Sequence, residues 1–206
     1  MTDADYLSAL YPDEHRVLGL RLHPFTLGHA LLLERLENPF LVGGRLPGLG
    51  DLRLALALCL RSYPRALALV EQPRRLRLAL ILGTWRATAR ALPWGIAQMF
   101  DYIRVFQQHP DCWGGRGGGR AMGTPFFQAV KLTHVMHLGK TELQALCTPL
   151  ALALWDYAAC WELLEKMELV SGADRDAMKA LESIPANGRE TTQLSTSNSP
   201  PPHARS

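Results

Sequence analysis

Two histidines, His134 and His137, stand three apart in a segment with helical spacing. Such a pair on one helix face can reach a single metal ion, and Glu142 and Cys147 are the nearest side chains that could complete a set. Phe127 and Val130 fall on the same side, so the pair also suits histidines packed against a core, and no metal or cofactor is assigned to it. A second candidate is the run Gly114-Gly115-Arg116-Gly117-Gly118-Gly119-Arg120. Its composition would suit a phosphate cradle or an arginine–glycine RNA-binding segment. It follows no convincing strand and lacks the Lys-Ser/Thr pair of a Walker loop, so residues 109–123 read as a flexible loop. Asp156 sits between Trp155 and Tyr157 in an apolar stretch, where it could bond a neighbouring helix end or face solvent. There is no G-x-S-x-G, no H-E-x-x-H and no dinucleotide fingerprint, so no catalytic residue is assigned.

Charge is the next chemical resource. The net charge of +3 is too small to imply a polyanionic partner by itself. Its distribution is uneven, however. Residues 45–90 hold nine arginines against Asp51 and Glu71, whereas 141–184 hold eight acids against Lys166, Arg175 and Lys179. Arg75, Arg86 and Arg90 would share one face of a continuous helix. Aromatics suited to base stacking are sparse there, with only Tyr63 and Trp85, so nucleic-acid binding is the secondary reading. The cysteines at 59, 112, 147 and 160 form no C-x-x-C pair and read as small buried hydrophobes in a reducing compartment.

These residues must be positioned by helices. Thr26 can cap a helix to about Leu36, which Asn38-Pro39 ends. Before it, residues 17–25 alternate, predicting a short strand or arm with Leu18, Leu20 and Leu22 on one side. The stretch DLRLALALCL repeats leucine with the period of a strand. Its residues are nevertheless strong helix formers with no β-branched side chain, which predicts helix over 52–60 and likewise over 75–82. Pro64, Pro73 and Pro93 divide the region into short helices. Further helices are expected over 94–107, from Thr124-Pro125 to Gly139, from Thr141 to Cys147, and from Pro149 to about Val170. In the last, Leu150, Leu154, Tyr157, Trp161 and Leu164 form an inward stripe, and its first half is apolar nearly all round, as befits a central core helix. Asp174 can cap a final helix to Ile184.

The expected fold is therefore mainly α. Residues 1–184 form one compact, irregular helical bundle, and 185–206, rich in Ser, Thr, Asn and Pro, form a disordered tail. The acidic N-terminus has no signal-peptide pattern, and the longest apolar runs, Leu54–Leu60 and Pro149–Trp155, fall short of the roughly 20 residues of a membrane span. The expectation is a cytoplasmic protein.

Two segments carry a resemblance. One is HRVLGLRLHPFTLGHALLLERL (15–36) with the Asn38-Pro39-Phe40-Leu41 turn and the DLRLALALCL helix; the other is residues 124–162. Together they resemble small helical proteins of phage and prophage, of the tail-assembly-chaperone type. In that pattern an L-x-P-F-T-L-x-H lead-in, here Pro24, Phe25, Thr26, Leu27 and His29, opens the first helix. Leu138-Gly139 matches its corner, and Pro149, Leu150, Trp155, Tyr157 and Ala158 match its last helix. Leu146 stands where the pattern has tryptophan and Ala151 where it has glycine.

The resemblance covers about half the chain and implies a non-enzymatic protein of the bacterial host cytoplasm. Its partners would be phage tail proteins: the helical tape-measure protein and the tail-tube subunit. A client helix would need an apolar groove with a charged rim, and Phe40, Leu41, Arg45, Arg53 and Arg61 are the candidate partner-binding residues.

Overall fold

The computed structural model describes residues 14–84, 86–108, 112–113, 125–164 and 168–169, and the single helical positions 174, 177 and 180. The chain divides into a unit spanning Met1–Val170 and a second spanning Ser171–Ser206. In the second, the described residues Asp174, Ala177 and Ala180 are helical and exposed. Asp174, expected to cap this helix, is itself helical, and the residues on either side of it lie outside those described. The expected acidic lead over 1–11 and the tail over 185–206 lie outside the described residues, as does most of the 109–123 loop.

The first unit is mainly helical, as its composition predicts. It opens with a hairpin in which β1 (Arg16–Val17) pairs antiparallel with β2 (Leu20–Arg21). Leu18 and Gly19 form the turn, both with positive φ (51° and 73°), as a tight two-residue hairpin connection requires. The alternating pattern therefore does not mark one strand with Leu18, Leu20 and Leu22 on one side. Leu18 pays a steric cost for this conformation. Its amide is held by Gln98 Oε1 at 2.8 Å, which fixes the turn on a distant helix.

Helix α1 (Leu27–Arg35) follows, then α2 (Pro39–Val42), α3 (Leu49–Cys59), α4 (Tyr63–Val70) and α5 (Pro73–Leu78), which runs into a π-helical turn over Ala79–Gly83. Next come α6 (Leu92–Phe106), β3 (Cys112–Trp113), α7 (Phe126–Met136), α8 (Glu142–Cys147), α9 (Leu150–Leu163) and β4 (Glu168–Leu169). The Leu-Ala-Arg segments at 52–60 and 75–82 are helical. The expected long helix stops at Leu163, however, and Glu168–Leu169 instead pairs antiparallel with Cys112–Trp113. Cys112 and Trp113, expected in a loop, are thus strand.

Caps explain most boundaries. Thr26 caps α1, Asn38 caps α2 by accepting from the Phe40 amide at 3.2 Å, and Thr141 caps α8 in a reciprocal box with Gln144. Asp51 accepts from the Gly48 amide at 2.8 Å and so fastens the start of α3.

Helix α1 is the hub, packing against α2, α3, α4, α7, α8 and α9, a role the sequence suggested for the 149–170 helix. Helix α9 remains largely buried and packs on α1, α6 and α7. An aromatic cluster closes the core beside the hairpin: Tyr102 meets Phe25, Phe106 and His15 edge to face, with centroids 5.4–5.7 Å apart. Its hydroxyl donates to the His23 carbonyl at 2.6 Å. No described helix is long and apolar enough to cross a membrane.

Candidate functional site

The buried histidines are structural. His29, at the third position of α1, occupies the place usually held by Glu or Gln in a capping box. The Thr26 hydroxyl lies 2.9 Å from its Nδ1, and the His29 amide donates back to Thr26 Oγ1 at 3.4 Å. On the other side Nε2 donates to the Arg61 carbonyl at 2.9 Å, since a carbonyl can only accept. The Thr26 amide donates to Nδ1 at 3.3 Å, which makes that nitrogen an acceptor and the imidazole neutral, and burial brings its pKa down to about 4. The resemblance singled out His29 without revealing this use.

His134 is fully buried and donates from Nε2 to the Ala153 carbonyl at 3.0 Å. Burial lowers its pKa as well. His137 is exposed, and its ring lies 6.1 Å from that of Trp161. The two histidines therefore do not converge, and the described residues hold no cluster of three or more metal-ligating side chains. Glu142 pairs with Lys131 at 2.9 Å, and Asp156 pairs with Lys140 at 3.0 Å, so these acids tie helix to helix or helix to corner. Of the cysteines with described side chains, Cys59 and Cys160 are buried as expected, but Cys147 is exposed.

The five candidate partner-binding residues are not gathered in one place. Phe40 is buried and packs edge to face on Phe100 at 4.9 Å, because Asn38 caps a new helical turn that folds it inward. Leu41 is half-buried against the same core. Arg45 forms a two-pronged ion pair with Asp51 at 2.6 and 2.7 Å, which holds the Asp51 carboxyl below its ordinary pKa. Arg53 donates from Nε to the Ala87 carbonyl at 3.0 Å and clamps the chain after the π turn. Arg61 stands apart from the other four.

Arg61 lines an open groove of 630 Å³ with Arg65, Ala68, Leu69, Arg75, Leu78 and Ala79. The α4–α5 corner builds it. Pro64 and Pro73 sit in the first turns of the two short helices, where a missing N–H costs nothing. Ala68, Leu69, Leu78 and Ala79 make an apolar floor, with three arginines around it. Arg61 Nη1 donates to the Ala57 carbonyl at 2.6 Å, while Arg65 and Arg75 are exposed and form no ion pair with a described residue. Arg74 and Arg77 are exposed on the same short helix. Arg86 and Arg90, expected on a helix face with Arg75, lie beyond the π turn in non-helical chain. The sequence signal for this site was the arginine excess over 45–90; the groove itself depends on the angle between two short helices.

Compared with family models, curated proteins and solved structures, the chain finds no match.

Proposed function

We propose that the protein is a non-enzymatic assembly factor of the phage-tail type, which holds a helical client such as the tape-measure protein before assembly, with the tail-tube subunit as a further partner. The observation that carries this reading is the open groove at Arg61, Arg65 and Arg75, whose apolar floor suits a protein surface. Two further features support it. The buried histidines and the Asp156 carboxylate are committed to bonds within the fold. Large apolar side chains are also exposed on the helices, among them Trp94, Met136 and Leu143. The resemblance of residues 15–36 and 124–162 to tail-assembly chaperones supplies the biological setting.

The second reading, a basic nucleic-acid-binding accessory protein of a phage or prophage, draws on five arginines between residues 61 and 77. Co-expression with a long helical tape-measure protein, followed by pull-down at low and moderate salt, separates the two. An assembly factor keeps that client soluble and retains it at moderate salt. An insoluble client, with nucleic acid retained and lost steeply as salt rises, would establish the second reading.

A further inference from the structure

We infer that the α4–α5 groove takes an amphipathic helix whose apolar stripe is flanked by carboxylates, an inference that rests on the client-binding reading above. The floor and the rim make different demands, and few partners meet both. Leu69 and Ala79 are nearly buried beneath the trough, Ala68 is too small to fill it, and Leu78 supplies most of its apolar contact. Leu78 is 58% exposed, so the wall offers apolar surface that nothing described covers. A row of leucines or similar side chains, repeating every three or four residues, fits such a trough.

The rim selects by charge. Between residues 61 and 77 stand five arginines and a single acid, Glu71. Guanidinium groups meet carboxylates in a planar, two-pronged geometry, as Arg45 and Asp51 already do elsewhere in this molecule. A helix with glutamates or aspartates beside its apolar stripe would place them against Arg61, Arg65 and Arg75. Nucleic acid meets the rim but not the floor. Among the described residues no aromatic ring lines the groove to stack a base, and bases would face leucine and alanine.

The full-length protein can be titrated with fluorescein-labelled synthetic helices of about 20 residues. One carries leucines at i, i+4 and i+7 flanked by glutamates; in a second, glutamine replaces every glutamate. The glutamate peptide should bind about tenfold more tightly at low salt, with the gap narrowing as salt screens the rim. The Arg65→Glu/Arg75→Glu double variant should erase that preference. Leu78→Asp should weaken both peptides, and circular dichroism should show both variants folded, because the substituted side chains are exposed. Equal binding of the two peptides, no effect of the double variant, or tighter binding of a single-stranded oligonucleotide overturns the assignment.

The assembly reading is tested separately with the same variants. If the wild-type protein solubilises its client and both groove variants do so equally well, the groove assignment falls and the assembly reading stands. If the acidic peptide binds as described but the wild-type protein leaves the client insoluble, the assembly reading falls and the groove assignment stands.

Discussion

The imidazole of His29 and the carbonyl of Arg61 join the start of α1 to the end of α3 through one buried hydrogen bond of 2.9 Å. Arg61 thus presents its side chain to the groove and its backbone to the core, so this bond supports the groove's edge. A histidine whose folded pKa is about 4 binds fewer protons than the unfolded chain at mildly acidic pH. The stability it contributes is present above pH 6.5 and is lost as pH falls toward 4. At ~1.4 kcal/mol per pH unit the loss amounts to about 3 kcal/mol. His29→Gln should cost about 2 kcal/mol near neutral pH. Urea midpoints of the two proteins should meet at about pH 5 and be reversed by pH 4, where the loss of about 3 kcal/mol exceeds the initial advantage of about 2. Parallel curves would show that His29 does not titrate as described.

Gly28 faces Tyr63 so closely that a β-carbon on it would stand 2.3 Å from the ring. Gly28→Ala should gain about 1 kcal/mol in helix propensity but lose more by overpacking, for a net loss of about 1–2 kcal/mol. In a Tyr63→Ala background the same substitution should be neutral or stabilising. A double-mutant cycle with no coupling would contradict the packing described.

Along α9, burial falls from the first turn to the last. Leu154 is 3% exposed and Leu163 84%. Leu154→Ala should therefore cost about 3 kcal/mol, Trp161→Ala about 2 because it is half-buried, and Leu163→Ala under about 0.5. Thermal melts give this order directly, and a large effect at Leu163 would mean that its side chain is covered.

Thiol reactivity gives an independent check of burial. Cys147 should be alkylated by iodoacetamide about a hundredfold faster than Cys59 or Cys160, because attack needs an accessible thiolate. Burial also pushes the Cys59 thiol up to about 12. Peptide-level mass spectrometry after brief labelling distinguishes the three sites.

Local chemistry was the legible part of this sequence. Thr26 and Thr141 cap helices as their positions predict, and the leucine-rich run at 52–60 is helical because Leu, Ala and Arg favour helix whatever their spacing. Gly139, with φ of 65°, follows α7 as expected. The hairpin turn was hidden because Leu18 is an unusual residue at positive φ, held there by Gln98 from another helix. The inward turn of Phe40 was hidden because Asn38-Pro39 reads equally as the end of one helix and the start of the next. The candidate site was legible only as a charge excess. Which arginines share a groove is settled by the α4–α5 angle, and three of the five candidates proved to be bound or buried elsewhere: Phe40, Arg45 and Arg53.

The junction of α1 with α9 has a consequence for how the chain is made. The Leu27 amide donates to the Thr148 carbonyl at 3.0 Å, and the Leu150 amide donates to the Phe25 carbonyl at 2.8 Å, so the hub helix is pinned by a segment from far downstream. Ribosomes extend a chain at roughly 5–20 residues per second, so for several seconds the nascent chain holds α1 and its early partners α2, α3 and α4 without α7, α8 and α9. Throughout that interval the part of α1 that α7, α8 and α9 cover stays open. The step that closes it is a long-range one, of the kind that sets folding speed. Pausing of translation before Leu150 would lengthen that exposure, and folding yield in the cell should be more sensitive to codon usage there than after α9 is complete.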